Sequence, residues 1–152
     1  MPGDPVGGTA AGGRVITPAL LDDQEAAFAR AFAAADLSLV RERYDPDVVY
    51  LSPTVRLYGW PQRIEGVDRA LEFIGLTILH CDDIHYEAVE RVIAPDGATA
   101  FVRIHFDWTH DDGRRLRSNY VVVYRYRDAL ITQQELYYDP SAPLEVLGEA
   151  LD

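Results

Sequence analysis

The stretch A-F-V-R-I-H-F-D-W-T, residues 100–109, alternates apolar and polar side chains with period two, which is the pattern of a half-buried β-strand. Val102, Ile104, Phe106 and Trp108 fall on one face and Arg103, His105 and Asp107 on the other. Which face meets the core depends on the strand that follows, across the turn signal Asp112-Gly113. A two-residue turn pairs Asp107 with Ser118, His105 with Tyr120 and Arg103 with Val122. The polar triplet then shares a face with Tyr120, Tyr124 and Tyr126. A three-residue turn with a glycine bulge shifts the register by one and sets Val122 opposite Val102. The residues alone leave both registers open.

Outward from this strand, Ile84–Ile93, Leu116–Tyr126 and Leu130–Tyr138 are further runs rich in Val, Ile, Tyr and Phe. Asp96-Gly97 and Asp128-Ala129 stand between them as turn signals. A shorter strand, Val48–Ser52, precedes them. The first half of the chain has helical spacing instead. Thr17-Pro18 is a cap followed by a first-turn proline, and Phe28, Ala31, Phe32 and Ala35 form an apolar stripe. A second helix is expected from Asp36, with Leu37, Val40 and Tyr44 on one face, stopping before Pro46. A third follows Gly66, where Val67, Ala70, Leu71 and Ile74 recur. Helices first and a meander after them give an α+β class with helices on one face of a sheet. Residues 1–16, rich in Gly, Pro and Ala, read as a flexible tail, and residues 17–148 as one domain.

Composition narrows the function. The chain has 152 residues, 48% hydrophobic and 26% charged, with 14 basic against 25 acidic residues and a net charge of −11. That balance is globular and disfavours nucleic acid or an anionic membrane as partner. No apolar run is long enough for a membrane span, and M-P-G-D-P-V lacks the basic start and apolar core of a secretory signal. The single cysteine, Cys81, forms no internal disulfide, so the cytoplasm is the expected setting. His80, Cys81, Asp82 and Asp83 read as a solvated loop rather than a metal site, and His85 and His110 as surface residues. No zinc spacing, phosphate cradle, serine elbow or flavin fingerprint is present, so neither metal nor cofactor is expected.

Two segments, A-A-D-L-S-L-V-R-E-R-Y-D-P-D-V-V-Y-L-S-P early and I-T-Q-Q-E-L-Y-Y-D-P late, together with this order of elements, resemble the SnoaL-like branch of the nuclear-transport-factor-two-like superfamily over residues 18–148. The resemblance implies a curved antiparallel sheet wrapped around three N-terminal helices, a conical pocket and a homodimer. The superfamily includes polyketide cyclases, ketosteroid isomerases, scytalone dehydratase, limonene epoxide hydrolases and non-catalytic binding proteins. Against the epoxide hydrolases, Tyr50-x-Ser52 stands for Tyr-x-Asn and Arg103-x-His105 for Arg-x-Asp, which puts the charged face of the strand toward the pocket. Leu136 stands where that family has its second pocket aspartate. Against the ketosteroid isomerases, Ser52, Phe28 and Val122 replace the base and the two oxyanion donors. Neither mechanism transfers intact.

The expected function is a cofactor-independent cyclase, with or without epoxide opening, acting on a hydrophobic polyketide-like or terpenoid-like intermediate. Dehydration, isomerisation or ligand binding without catalysis are the alternatives. His105 would be the general acid or base, Asp107 would orient it, Arg103 would bind an anionic group and Tyr50 a substrate oxygen. Phe28, Ser52, Tyr120, Tyr124, Gln134, Leu136 and Tyr138 would line the substrate site. Val102, Ile104, Trp108, Val121 and Val123 would then form an outer apolar face for dimerisation.

Overall fold

The structure is a computed structural model that describes residues 13–139. Residues 1–12 of the tail expected over residues 1–16, and the stretch 140–148 of the expected domain, lie outside the described residues. Residues 13–16 are fastened to the fold. The Arg14 amide donates to Asp128 Oδ1 and the Ile16 amide to the Gly97 carbonyl, both at 2.8 Å, and the Ile16 side chain is buried.

Helix α1 (Pro18–Ala34) starts as its sequence dictates. Thr17 is extended and its Oγ1 accepts from the Leu20 amide at 3.2 Å, while Pro18 sits where no amide proton is needed. Its stripe Leu21, Ala27, Phe28, Ala31 and Phe32 is buried. The helix expected after it is a 3-10 helix, Leu37–Arg43, capped by the Asp36 carboxylate. Tyr44, expected on that helix, instead opens strand β1 (Tyr44–Leu51). Pro46 forces the change, because it disfavours helical geometry at Asp45 and cannot donate to a ladder. The pairing of β1 accordingly shifts between Tyr44 and Val49. A one-turn helix α2 (Val55–Tyr58) and a two-residue strand β2 (Ile64–Glu65) follow; the sequence reading had neither. Helix α3 (Val67–Thr77) then opens after Gly66, whose φ is 95°.

The meander consists of β3 (Asp82–Ile93), β4 (Thr99–Thr109), β5 (Arg115–Arg127) and β6 (Leu130–Tyr138). With β1 and β2 it forms a curved, unclosed six-stranded sheet in the order β2-β1-β6-β5-β4-β3. Every neighbour is antiparallel except β1 and β6, which run parallel. Helix α1 packs on β3 and α3 on β1, completing the expected α+β cone.

The β4–β5 register answers the question left open by the sequence. Val102 pairs with Val122, Phe106 with Ser118 and Thr109 with Arg115. Asp111, Asp112 and Gly113 form the three-residue turn, with Gly113 at φ 89°. Ala100, Val102, Ile104, Phe106 and Trp108 are therefore all buried against the helices. Arg103, His105 and Asp107 lie on the outer face, which corrects the pocket-facing orientation expected for them. Burying the apolar set releases far more free energy than burying an Arg, a His and an Asp would, and the charged set stays hydrated. The expected outer apolar face is corrected with it. Val102, Ile104 and Trp108 are interior, and only Val121 and Val123 of that group are outside, half-buried.

Candidate functional site

A partly enclosed cavity of about 80 Å³ opens between the helices and the inner face of the sheet. Phe32 of α1 and Ile74, Thr77 and Ile78 in and just after α3 form one side. Phe106 and Trp108 of β4, Ser118 and Tyr120 of β5, Leu136 and Tyr138 of β6 and Tyr50 of β1 form the other. Thr54, Leu57, Tyr58 and Cys81 complete the wall. The parity of four neighbouring strands delivers these residues: each lies on the inner face, and registry sets Phe106 beside Ser118 and Tyr120 beside Tyr138.

No lining residue carries a formal charge at neutral pH. The polar atoms are hydroxyls, one thiol and one indole N–H. Ser52 is buried beside the wall, and its Oγ lies 2.8 Å from Thr54 Oγ1. Burial pushes the phenols of Tyr50 and Tyr120 well above their ordinary range, helped by the neighbouring Tyr138 hydroxyl. Burial also raises Tyr138 to about 12, the nearby Ser52 and Thr54 hydroxyls pulling the other way. Cys81 is pushed up to about 12 by burial and by Asp82 and Asp111. The wall is thus a set of neutral donors in an apolar frame, and it holds no group that is a base at neutral pH.

Of the residues singled out from sequence, Tyr50, Tyr120, Leu136 and Tyr138 line this cavity and Ser52 touches its edge. Phe28, Tyr124 and Gln134 lie deeper. The Phe28 ring contacts Phe32, Tyr44, Tyr86 and Tyr124 at 6.2–6.3 Å, and Gln134 Oε1 accepts from the Tyr44 hydroxyl at 2.6 Å. On the outer face Asp107 is engaged by Arg117, at 2.6 and 3.0 Å, rather than by His105. That guanidinium holds the Asp107 carboxyl below its ordinary value. Arg103 pairs with Glu90 at 3.1 Å. Arg103 and His105 border an open groove of about 360 Å³ with Asn119, Val121 and Tyr137; Tyr120 and Tyr138 touch both this groove and the cavity.

Two further features escaped the sequence reading. Glu25, on α1, is 2% exposed, accepts from the Tyr86 hydroxyl at 2.6 Å and from Gln24 Nε2 at 2.9 Å, and burial raises its carboxyl above the ordinary carboxylate range. An acid inside the apolar stripe of a helix was its only signal. His110, expected at the surface, is 5% exposed with its Nδ1 unpartnered among the described residues. Extending the inward parity of β4 by one step would have placed it. His80 bonds Asp111 at 2.8 Å, and among the described residues no three His, Cys, Asp or Glu side chains converge as a metal site would require. Trp60 packs against Phe73 with ring centroids 5.1 Å apart and planes tilted by 58°, under the Arg69 guanidinium, and is not among the residues that line the cavity.

No helix among the described residues is long and apolar enough to cross a membrane. No curated protein sequence matches the chain significantly, but many solved structures share its fold. An NTF2-like protein of unknown function from Burkholderia pseudomallei is 22% identical with a TM-score of 0.66, covering 79% of this chain and 91% of that one. TerC, co-crystallised with polyporic acid, is 19% identical with a TM-score of 0.69 over 84% of this chain and 98% of its own. A candidate SnoaL-like polyketide cyclase from Jannaschia sp. CCS1 is 13% identical with a TM-score of 0.69, covering 90% and 98%. At these identities the likeness is one of fold. The SnoaL-like domain family itself matches residues 25–134, from the buried acid of α1 to the interior glutamine of β6, and the chain belongs to that family.

Proposed function

We propose that this chain binds a neutral, mainly apolar, oxygen-bearing small molecule of the polyketide kind and promotes its cyclisation or a related rearrangement without a cofactor. The composition of the cavity wall carries the reading: aromatic and aliphatic surface, several buried phenols and no charge. As a ring closes on a carbonyl carbon, negative charge develops on its oxygen. Fixed phenol donors in a dry site stabilise that charge without reorganising. Tyr50, Tyr120 and Tyr138 fill this role, since burial keeps all three protonated. The wall offers no proton acceptor, so the substrate must be acidic enough to enolise unaided. TerC with polyporic acid and the candidate polyketide cyclase support the ligand class by likeness of fold. Ordinary ligand sites measure about 300–1,000 Å³, so the wall must yield on binding. The single-turn α2, with Leu57 at 40% exposure, is the part that can.

The missing base favours a second reading, a ligand-binding module without turnover. A β-polyketo aryl ester separates the two. Both readings expect a rise in melting temperature on binding. The enzyme also expects turnover above buffer, reduced about 10²-fold or more in Tyr120→Phe. Binding without turnover refutes the enzyme. We further propose a cytoplasmic homodimer joined through the outer sheet face, where Val92, Phe101 and Val123 stand side by side on β3, β4 and β5.

A further inference from the structure

One buried donor, on a side chain that lines the cavity, is left unused by the fold. Trp108 is 2% exposed and lines the cavity, and its indole Nε1 is buried with no hydrogen-bond partner among the described residues. Its ring is fixed against Phe106, with centroids 5.7 Å apart and planes tilted by 56°. A dry, unpaired N–H is destabilising, a cost that a purely apolar side chain at this place would not carry. The deficit is local: His110, the next inward position on the same face, also carries a buried unpartnered ring nitrogen.

The chemistry of the group restricts what can answer it. Hydroxyls of the wall donate or accept, and so tolerate a carbonyl, an alcohol or water alike. An indole N–H only donates. Whatever is brought against Trp108 must offer a lone pair there. We propose that Trp108 determines the specificity of the cavity, its indole N–H taking a carbonyl oxygen of the ligand and selecting carbonyl compounds over their hydrocarbon counterparts. This rests on the reading of the cavity as a ligand site. It adds what that reading leaves open: the point at which the ligand's oxygen is recognised, and its required polarity.

The test compares acetophenone with α-methylstyrene, in which a methylene replaces the carbonyl oxygen. The chain has two tryptophans, so ¹⁵N-labelled protein gives two indole signals, and Trp108→Phe identifies one of them. Trp60, packed outside the cavity under Arg69, serves as the internal control. Acetophenone is expected to move the Trp108 signal downfield and leave Trp60 in place, and to bind about tenfold tighter than α-methylstyrene. In Trp108→Phe the preference for acetophenone over α-methylstyrene is expected to vanish, whatever the change in the affinity of both. The wild-type comparison stands alone if that variant folds poorly. Equal wild-type affinities with an unmoved Trp108 signal overturn the proposal while leaving the cavity a ligand site. Failure of both compounds to bind overturns the cavity reading and the proposal with it.

Discussion

Alanine substitutions at Ile104 and, separately, at its neighbour His105 probe the facing of β4 with changes one residue apart. Ile104 is fully buried. Removing its carbons beyond Cβ forfeits about 2.4 kcal/mol at roughly 0.8 kcal/mol per group. The void left behind adds about 1–2 kcal/mol at ~24 cal/mol per Å³. The total of about 4 kcal/mol lies within the ~2–5 kcal/mol range of such truncations. At roughly 3 °C per kcal/mol for a domain of this size, the melting temperature should fall by about 12 °C. His105 is half-exposed on the outer face, so its truncation should cost no more than about 0.5 kcal/mol. Urea unfolding followed by circular dichroism reads both values, with unchanged m confirming a common unfolded state. A His105→Ala loss equal to or greater than that of Ile104→Ala would refute the inward facing of the apolar set.

Three further outcomes are expected. The Glu25 carboxyl is held above its ordinary value of 4.5 by burial, partly offset by Tyr86 and Gln24. The folded state therefore holds the proton more tightly than the unfolded one. Its contribution to stability is complete below that ordinary value and is lost as pH rises through the folded one. Glu25→Gln should flatten the decline of melting temperature toward neutral pH, and identical wild-type and variant slopes would contradict this. In the β5–β6 turn, Asp128 and Ala129 both have positive φ, 54° and 62°. Ala129→Gly should add about 1 kcal/mol in urea unfolding, and a loss would count against the turn. Light scattering at micromolar concentration should give about twice the 17.0 kDa chain mass, falling to one chain in Phe101→Asp; a monomeric wild type rules out the dimer.

The alternation within residues 99–109 and 130–138 was enough to place β4 and β6 to the residue, because apolar periodicity and turn chemistry are local. The facing of Arg103, His105 and Asp107 was not local. It depended on whether Asp112-Gly113 closed a two- or three-residue turn, and on which set of side chains the helices covered. The simple rule that apolar faces go inward was right, and the Arg-x-His resemblance pointed the other way. Tyr50, Tyr120, Leu136 and Tyr138 line the cavity because their strands have fixed parity. Phe28, Tyr124 and Gln134 have inward parity as well but sit too deep, and depth along the cone has no sequence signature. Short α2 and β2 were invisible because four and two residues make no period.

The parallel joint between β1 and β6 has a consequence for how the chain is made. Tyr50 pairs with Gln134, so the middle of the sheet waits for one of its latest segments. At about 5–20 residues per second of synthesis, roughly 4–17 s separate the two. During that interval β1, whose Val48 and Tyr50 are buried once the fold is complete, has only the two-residue β2 as a strand partner. Apolar strand surface exposed in this way is prone to aggregate, and the distant pairing slows spontaneous closure as well. A message cut short before Leu130 yields a chain whose β1 keeps an open inner edge. That chain meets its neighbours through the edge, as strands do, instead of completing a cone.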